Sequence, residues 1–527
     1  MLQTNLNGFD FTVIFLYLLG LVILGFWVGS NRKSSEDYFL AGRDLNWKII
    51  GLSIFGTNIS PMMLISSSGV AYAYGMVANN FEWLAFIFLI LMAMVFLPHY
   101  LSTRISTMPE FIFKRFGAPS RNILSWIIFV QITIGVGAVL FAGSILMGQL
   151  MQWPLWGSLL LMTFISASFT ITGGLKAVAI TDAFQSLLMI VACALLTGIG
   201  INEIGGFGKL YDLVPEDHWK LFRSSDDLAY PWPAIVFGYP VMAIWYWCTN
   251  QTIVQRALGA KNLEEAQKGI LFTGYLKILV PIIFFLPGII CLALHPDLKD
   301  SDDAFMTMVD NYLPNGMIGL IVAMLMAALI STVNSMLNSA STIFTLDIYQ
   351  KKINREASDK QLKKTGQLVT GLVAAVAVFI AYGLDSVEGM NLFDLVNSIF
   401  SFLSPSLAAV FILGIFWKGA TPKAAFYTLI IGNIPSVFIG FCYLSGWPSK
   451  EYWPHFLLIA FYLFAFLMVF MIVISILTKK TSPSSPLPTL LEAYASFGAK
   501  NNKNIWRGWA VLSVIMIGLY LFFELIL

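Results

Sequence analysis

The chain has 527 residues, 58% of them hydrophobic and 11% charged, with a mean hydropathy of +0.77 and a net charge of +2. This apolar excess excludes an ordinary soluble domain. The basic residues fall in short loops between apolar runs, so they speak to membrane topology rather than to nucleic acid.

A helix crosses the hydrocarbon core with roughly 20 apolar residues. About fourteen stretches meet that need: 11–29, 49–72, 81–98, 122–150, 156–172, 177–202, 233–250, 270–294, 316–342, 367–383, 392–414, 424–445, 455–477 and 508–526. The first has no Lys or Arg before it and Arg32-Lys33 after it, the reverse of a signal peptide. It reads as a retained anchor with its N-terminus outside.

The second span is interrupted by Thr57-Asn58-Ile59-Ser60-Pro61. Proline removes a donor and disfavours helix at the residue before it. Freed backbone groups are tolerated at membrane depth only against protein, water or a ligand. Such breaks build binding sites in carriers.

Three ionisable residues then sit inside spans, where they mark function by default. Glu82, in Phe81-Glu82-Trp83, opens the third span and could be an interfacial carboxylate or a site residue. Asp182, early in the sixth, could partner a cytoplasmic arginine or stabilise a cation in transit. Lys277 lies about eight residues into the eighth span, on the order of 12 Å deep. It needs an acceptor such as Glu82, a sugar hydroxyl or a substrate carboxylate.

The seventh span carries Trp245-Tyr246-Trp247-Cys248-Thr249-Asn250-Gln251. These aromatics suit either an interfacial girdle or a stacking platform for a sugar. The seventh follows the second by five spans, the spacing of two inverted repeats that each begin with a broken helix. The ninth span bears a hydroxyl ladder, Ser331, Thr332, Asn334, Ser335, Asn338, Ser339, Ser341 and Thr342. Ser331, Thr332 and Ser335 share a face. Hydroxyls facing the carbonyls of a broken helix suit a weak Na⁺ site; Ser339 and Ser341 suit helix packing.

Loop charge supports this span count. Twenty-five of the 31 Lys and Arg residues fall in one alternate set of loops and five in the other, with Lys277 inside a span. The positive-inside rule makes the rich set cytoplasmic, and an even span count puts both termini outside. Cys193, Cys248, Cys291 and Cys442 show no metal or disulfide spacing and read as packing residues. No P-loop lysine motif, His-Glu-x-x-His or nucleophile–base pair argues for an enzyme. Ser482-Pro483-Ser484-Ser485-Pro486 marks a flexible cytoplasmic loop.

Several runs together resemble the solute:sodium symporter family, in its sodium/sugar branch. They include Glu36-Asp37-Tyr38-Phe39-Leu40-Ala41-Gly42-Arg43, Thr57-Asn58-Ile59-Ser60, Phe81-Glu82-Trp83, Thr181-Asp182, Trp245-Tyr246-Trp247-Cys248, Val254-Gln255-Arg256 and Asp347-Ile348-Tyr349. The resemblance implies an all-α membrane protein with a LeuT-type core of two inverted five-helix repeats. Residues 1–48 then form an extra helix and loop, 49–232 the first repeat, 233–414 the second, and 415–527 the added C-terminal helices. It implies a sodium site from carbonyls near Gly56, Ile59 and Ala328 with the hydroxyls of Ser331 and Thr332. Asp182, Asn334 and Ser335 match a release path or a second sodium site. Asn58, Glu82 and Lys277 match sugar partners, and Tyr246 and Trp247 an inner gate. Asn397 stands where sugar members carry glutamine. Met63 stands where they carry a polar sugar ligand, which leaves the identity of the sugar open, and Ala243 stands where several are polar.

The expected function is Na⁺-coupled import of a neutral sugar or polyol across the plasma membrane, a bacterial inner membrane being the plausible one. Sodium is the coupling ion, the lipid bilayer the surroundings, and the oligomeric state is open. The rivals are a relative for an organic anion, amino acid or vitamin, and a proton-coupled carrier.

Overall fold

The computed structural model describes residues 6–29, 34–59, 61–151, 154–314, 316–384, 392–478, 487–497 and 503–525. Arg32, Lys33, Ser60, Lys479, Lys480, Lys500 and the Ser482–Pro486 run lie outside the described residues. Within them the chain is helical, with only isolated bridges such as Leu45 to Ala260 for β-structure.

Each of the fourteen expected spans contains helix, but fewer qualify alone as membrane-crossing helices. Ten are long and apolar enough, or eleven if the bent pair Leu263–Lys277 and Pro281–Leu294 is one span. The difference has three causes. The second half of span 2 runs on into span 3 as one helical stretch, Met63–Ser102, reversing at Gly75 (φ 73°). Span 5 is a shorter apolar helix, Leu155–Ser168. Span 7 is divided and polar at its inner end, into Ala234–Gly238, Tyr239–Ala243, Ile244–Thr249 and Gln251–Leu258.

Spans 5 and 6 join without a loop, as Leu155–Ile204 with one non-helical residue, Gly174 (φ 57°, ψ −164°). A side chain at Gly174 would meet the Tyr38 carbonyl, so the positive φ and the close approach both require glycine. Tyr38 fixes this corner by donating its hydroxyl to the Thr170 carbonyl at 2.9 Å.

The core is formed by span 9 (Met317–Ile343), nearly all of it buried, packed against spans 4, 6 and 10. The first half of span 2 (Trp47–Asn58) packs on spans 6 and 8. Span 1 (Gly8–Gly29) lies outside this core but is pinned to it by Asp10. That buried carboxylate accepts the backbone N–H groups of Gly316 (2.8 Å) and Gly319 (2.7 Å). It thereby satisfies free donors at the start of span 9 and faces the positive end of its dipole. The last span (Lys503–Leu525) packs on span 8 and reaches span 3 through the Trp83–Tyr520 ring pair.

On the basic side, Asp44 draws three loops together through Lys176 and Lys261, each at 3.3 Å. Those ammonium groups, Lys261 first, hold the Asp44 carboxyl below its ordinary range.

Candidate functional site

Two helix breaks define the site. The first half of span 2 stops at Asn58, Ile59 is extended (φ −95°, ψ 92°), and helix resumes at Pro61. The Thr57 hydroxyl donates back to the Ser53 carbonyl at 2.7 Å, the i to i−4 back-bond of a helical threonine. In span 7 the wide turn Ile244–Thr249 ends at Asn250 (φ −69°, ψ 122°). The Asn250 side chain accepts the Thr252 N–H at 2.9 Å and starts the next helix as its cap. Wide π-type turns of this kind recur at functional sites. Thr57 and Asn58 from one break and Thr249 and Asn250 from the other line one cavity, of about 120 Å³.

A second cavity of about 110 Å³ lies on the other side of the span 7 aromatics. Asn58, Met63, Glu82, Trp247, Ala243 and Asn397 line it. Tyr246, Trp245, Phe400 and Asn58 border both cavities, so they form the partition between them. Tyr246 meets Trp247 edge-on, with ring centres 4.9 Å apart. Each cavity has room for several water molecules; Ile128, Ile132, Val139 and Leu407 line the first together with polar residues such as Gln131 and Thr332.

Glu82 and Lys277 form a buried ion pair at the edge of the second cavity. Lys277 also lies over the Trp247 ring, 4.8 Å from its centre, a cation–π contact. The Asn58 amide reaches the other Glu82 oxygen at 3.5 Å. The local sequence explains the exposure of Lys277 to this partner. Pro281 cannot donate to the Lys277 carbonyl four residues back. The chain tightens there, with Ile278 N–H to Tyr275 and Leu279 N–H to Leu276 carbonyls, and bends by 41°.

A second buried pair lies deeper, between spans 6 and 7. Arg256 Nη2 contacts Asp182 Oδ2 at 2.8 Å, and both side chains are essentially fully buried. Ser53 donates to the same oxygen at 2.8 Å, and Arg256 Nε donates to Ser53 Oγ at 2.7 Å. Ser331 donates to Asp182 Oδ1, and Arg256 also donates to Ser335. Thr57 Oγ1 lies 3.5 Å from Ser335 Oγ, which joins the break of span 2 to span 9. Gly56 permits this approach, since a Cβ there would collide with the Ser186 hydroxyl of span 6.

The structure therefore gathers the expected residues into two groups. Asn58, Met63, Glu82, Tyr246, Trp247 and Asn397 line the second cavity, with Lys277 against Glu82. Asp182, Ser331 and Ser335 meet around Arg256. Thr332 donates to the Ala328 carbonyl at 3.0 Å and lines the first cavity. Asn334 is buried, with an amide oxygen that has no partner among the described residues. Ile59 is the extended residue of the break, beside Gly56.

Sequence reasoning missed Arg256 as a site residue by counting it among loop cations; it is 1% exposed. The signal was available, because an intramembrane aspartate requires a counter-charge. It also missed Ser53, Thr57 and Phe400, ordinary residues that only the packing selects.

Comparison with known proteins gives a consistent picture. A family model described as the sodium:solute symporter family matches residues 38–432. Sodium/glucose cotransporter 1 of Oryctolagus cuniculus is 32% identical over 94% of this chain and 82% of its own. Sodium/myo-inositol cotransporter 2 of Homo sapiens is 34% identical over 82% of this chain and 69% of its own. Among solved structures, the substrate-bound outward-open state of a Na⁺-coupled sialic acid symporter superposes with a TM-score of 0.78. It is 22% identical and covers 89% of this chain and 98% of that one. A nucleobase-cation-symport-1 family transporter in a closed conformation gives 0.56 at 12% identity, covering 91% of this chain and 99% of that one. These likenesses establish the LeuT-type fold. With its two broken helices and this family match over most of its length, the chain belongs to the sodium:solute symporter family.

Proposed function

We propose that this protein imports a neutral sugar or polyol together with Na⁺ by alternating access, and that it is a transporter rather than an enzyme. The observation that carries this reading is the second cavity. Its lining combines hydrogen-bonding groups (Asn58, Glu82, Asn397) with aromatic side chains (Tyr246, Trp247). That is the mixed surface a sugar needs, with hydroxyls bonded outward and ring C–H groups on π-faces. The relatives named for glucose and myo-inositol support the same class.

Sodium would bind carbonyls of Gly56, Ile59 and Ala328 with the Ser331 and Thr332 hydroxyls. Asp182 and Ser335, with Asn334, would form the release path or hold a second ion. Binding there ties the broken span 2 to span 9. Na⁺ drives the cycle only by binding one conformation better than the other. Tyr246 divides the substrate cavity from the inner one, so its displacement would open the way in.

The basic loops would face the cytoplasm of a plasma membrane with both termini outside, and the repeats would run 49–232 and 233–414. The organic-anion rival is disfavoured because Glu82 already neutralises Lys277. The test is uptake of labelled sugars and polyols into proteoliposomes under equal inward Na⁺ or K⁺ gradients. Na⁺-dependent uptake of at least one of them is expected. Equal uptake in both gradients would replace Na⁺ coupling by protons or facilitated diffusion, and uptake of carboxylates alone would revive the anion reading.

A further inference from the structure

A third cavity, of about 260 Å³, opens on the basic side of the molecule. Its walls come from the short helix Ser35–Leu40, the turn before helix Met108–Phe116, the end of span 9 and the start of span 10. It is separate from the two cavities above and shares no lining residue with them. Four carboxylates line it: Glu36, Glu110, Asp347 and Asp359.

Three of these are engaged. Glu36 pairs with Arg43 at 2.8 Å. Glu110 accepts the Ser106 N–H at 2.7 Å and lies 3.8 Å from Lys114. Asp359 accepts the Ser35 hydroxyl at 2.7 Å. Asp347 differs. It is 2% exposed, and its Oδ2 has no hydrogen-bond partner among the described residues. The Thr107 hydroxyl is within reach of its carboxylate. Arg121, and after it Lys351 on the same cavity wall, act on this carboxylate through space, and neither forms an ion pair with it among the described residues. A buried carboxylate oxygen without a partner is unfavourable unless something positive completes it.

The geometry points to a cation site at Asp347, completed by the Thr107 hydroxyl and water, that takes a monovalent ion, Na⁺, as it leaves the transporter. A divalent ion is not favoured. Among the described residues no three His, Cys, Asp or Glu side chains are grouped to hold a metal, and multivalent ions require several oxygen ligands at once. One full charge with neutral oxygens suits a weakly held monovalent cation.

A polar track leads to this place from the deeper ion pair. Ser335 donates to the Ser331 carbonyl (2.8 Å), and Ser339 to the Ser335 carbonyl (2.9 Å) and Gln255 (3.2 Å). Gln255 in turn donates to Thr342 Oγ1 (2.9 Å) and to the Phe39 carbonyl (2.7 Å), and Phe39 lines the cavity. Further along span 9, Asn338 and Thr345 are buried with polar atoms unpaired among the described residues. The ion route thus follows span 9, while the cavity beyond Tyr246 is left to the substrate. The site rests on the sodium-coupled reading for its role, though not for its existence.

The existence is tested on full-length protein in detergent carrying Ser106→Cys, which places a thiol on the cavity wall. The four native cysteines are buried and give little background. Labelling by a small maleimide should be about threefold slower in 100 mM NaCl than in choline chloride, as occupancy by a weak ligand requires. The effect should vanish in Ser106→Cys/Asp347→Asn. Equal rates in Na⁺ and choline overturn the site, even if the double variant does not fold. Protection that follows pH and ignores Na⁺ assigns the carboxylate to a proton and overturns it as well.

The role is tested by uptake into proteoliposomes preloaded with Na⁺. Internal Na⁺ should inhibit wild-type uptake, and Asp347→Asn should raise the half-inhibitory internal concentration about fivefold, with the external Na⁺ dependence unchanged. An unchanged internal dependence overturns the release role. Uptake that ignores Na⁺ on both sides while labelling is still protected sinks the coupled reading and leaves the cation site standing.

Discussion

Two ion pairs are buried to the same degree in this protein and have different surroundings. Glu82–Lys277 borders an open cavity, and its neighbours are a ring face and one distant amide. Asp182–Arg256 lines none of the cavities described and is wrapped in the hydroxyls of Ser53, Thr57, Ser331 and Ser335. Removing two charges from water costs several kcal/mol per ion unless hydrogen bonds complete both partners. The second pair is completed by protein. The first retains bonding capacity, which a substrate hydroxyl can fill. The contrast separates a pair with bonding capacity left for a substrate from a pair whose partners the protein's own hydroxyls complete.

The largest effect should come from cutting the sealed pair. Arg256→Met strands the Asp182 carboxylate and should cost about 3–5 kcal/mol, as loss of one member of a buried pair does. The thermal unfolding midpoint of purified protein measures it. Asp182→Asn/Arg256→Gln should recover little of this loss, because four hydroxyls are arranged around the charges. A double variant as stable as wild type would erase the distinction drawn above.

Lys277→Met should be the next most severe, with both stability and substrate binding lost. Here Glu82→Gln/Lys277→Met should regain most of the stability of the single variants and none of the sugar affinity. A double-mutant cycle on unfolding, with sugar affinity measured in parallel, separates the two. Recovery of sugar binding would move the site away from this pair.

Ser331→Ala and Thr332→Ala remove hydroxyls rather than charges. Each should weaken Na⁺ activation of uptake by roughly tenfold, about 1.4 kcal/mol, and sugar affinity much less. Equal losses of both, in protein that unfolds normally, would count against the sodium assignment.

Met63→Gln introduces an amide into the sugar cavity. It should change the ranking of sugars and polyols by a few-fold to about tenfold, which is what one hydrogen bond of roughly 1 kcal/mol supplies. The smallest effect belongs to the exposed cluster at Asp44. Asp44→Asn should change stability by less than about 1 kcal/mol, and added salt should mask it, because solvent screens such pairs.

Much was legible in the sequence because hydrocarbon imposes simple demands. Apolar runs and the Ser60-Pro61 step each have one economical explanation in a bilayer, and the described helices follow them. The broken span 2, the second break five spans later at Asn250, and the partnership of Glu82 with Lys277 could be anticipated from spacing and charge alone. The number of full crossings was less legible. Spans 5 and 7 are shortened or divided at positions where hydropathy averages over the interruption.

What the sequence determined by itself was the class of molecule, the places where helix had to fail, and the need of each intramembrane charge for a partner. These follow from local chemistry, since a proline or an aspartate makes its demand wherever the chain goes. What only the tertiary structure decided was which partner answers. Of the basic-side arginines it is Arg256 that meets Asp182, Asp10 caps span 9 from a distant helix, and Asp347 has one oxygen unpaired among the described residues beside a cavity. Those choices depend on which helices lie side by side. That arrangement is set by many weak packing contacts summed across the fold, which no short stretch of sequence contains.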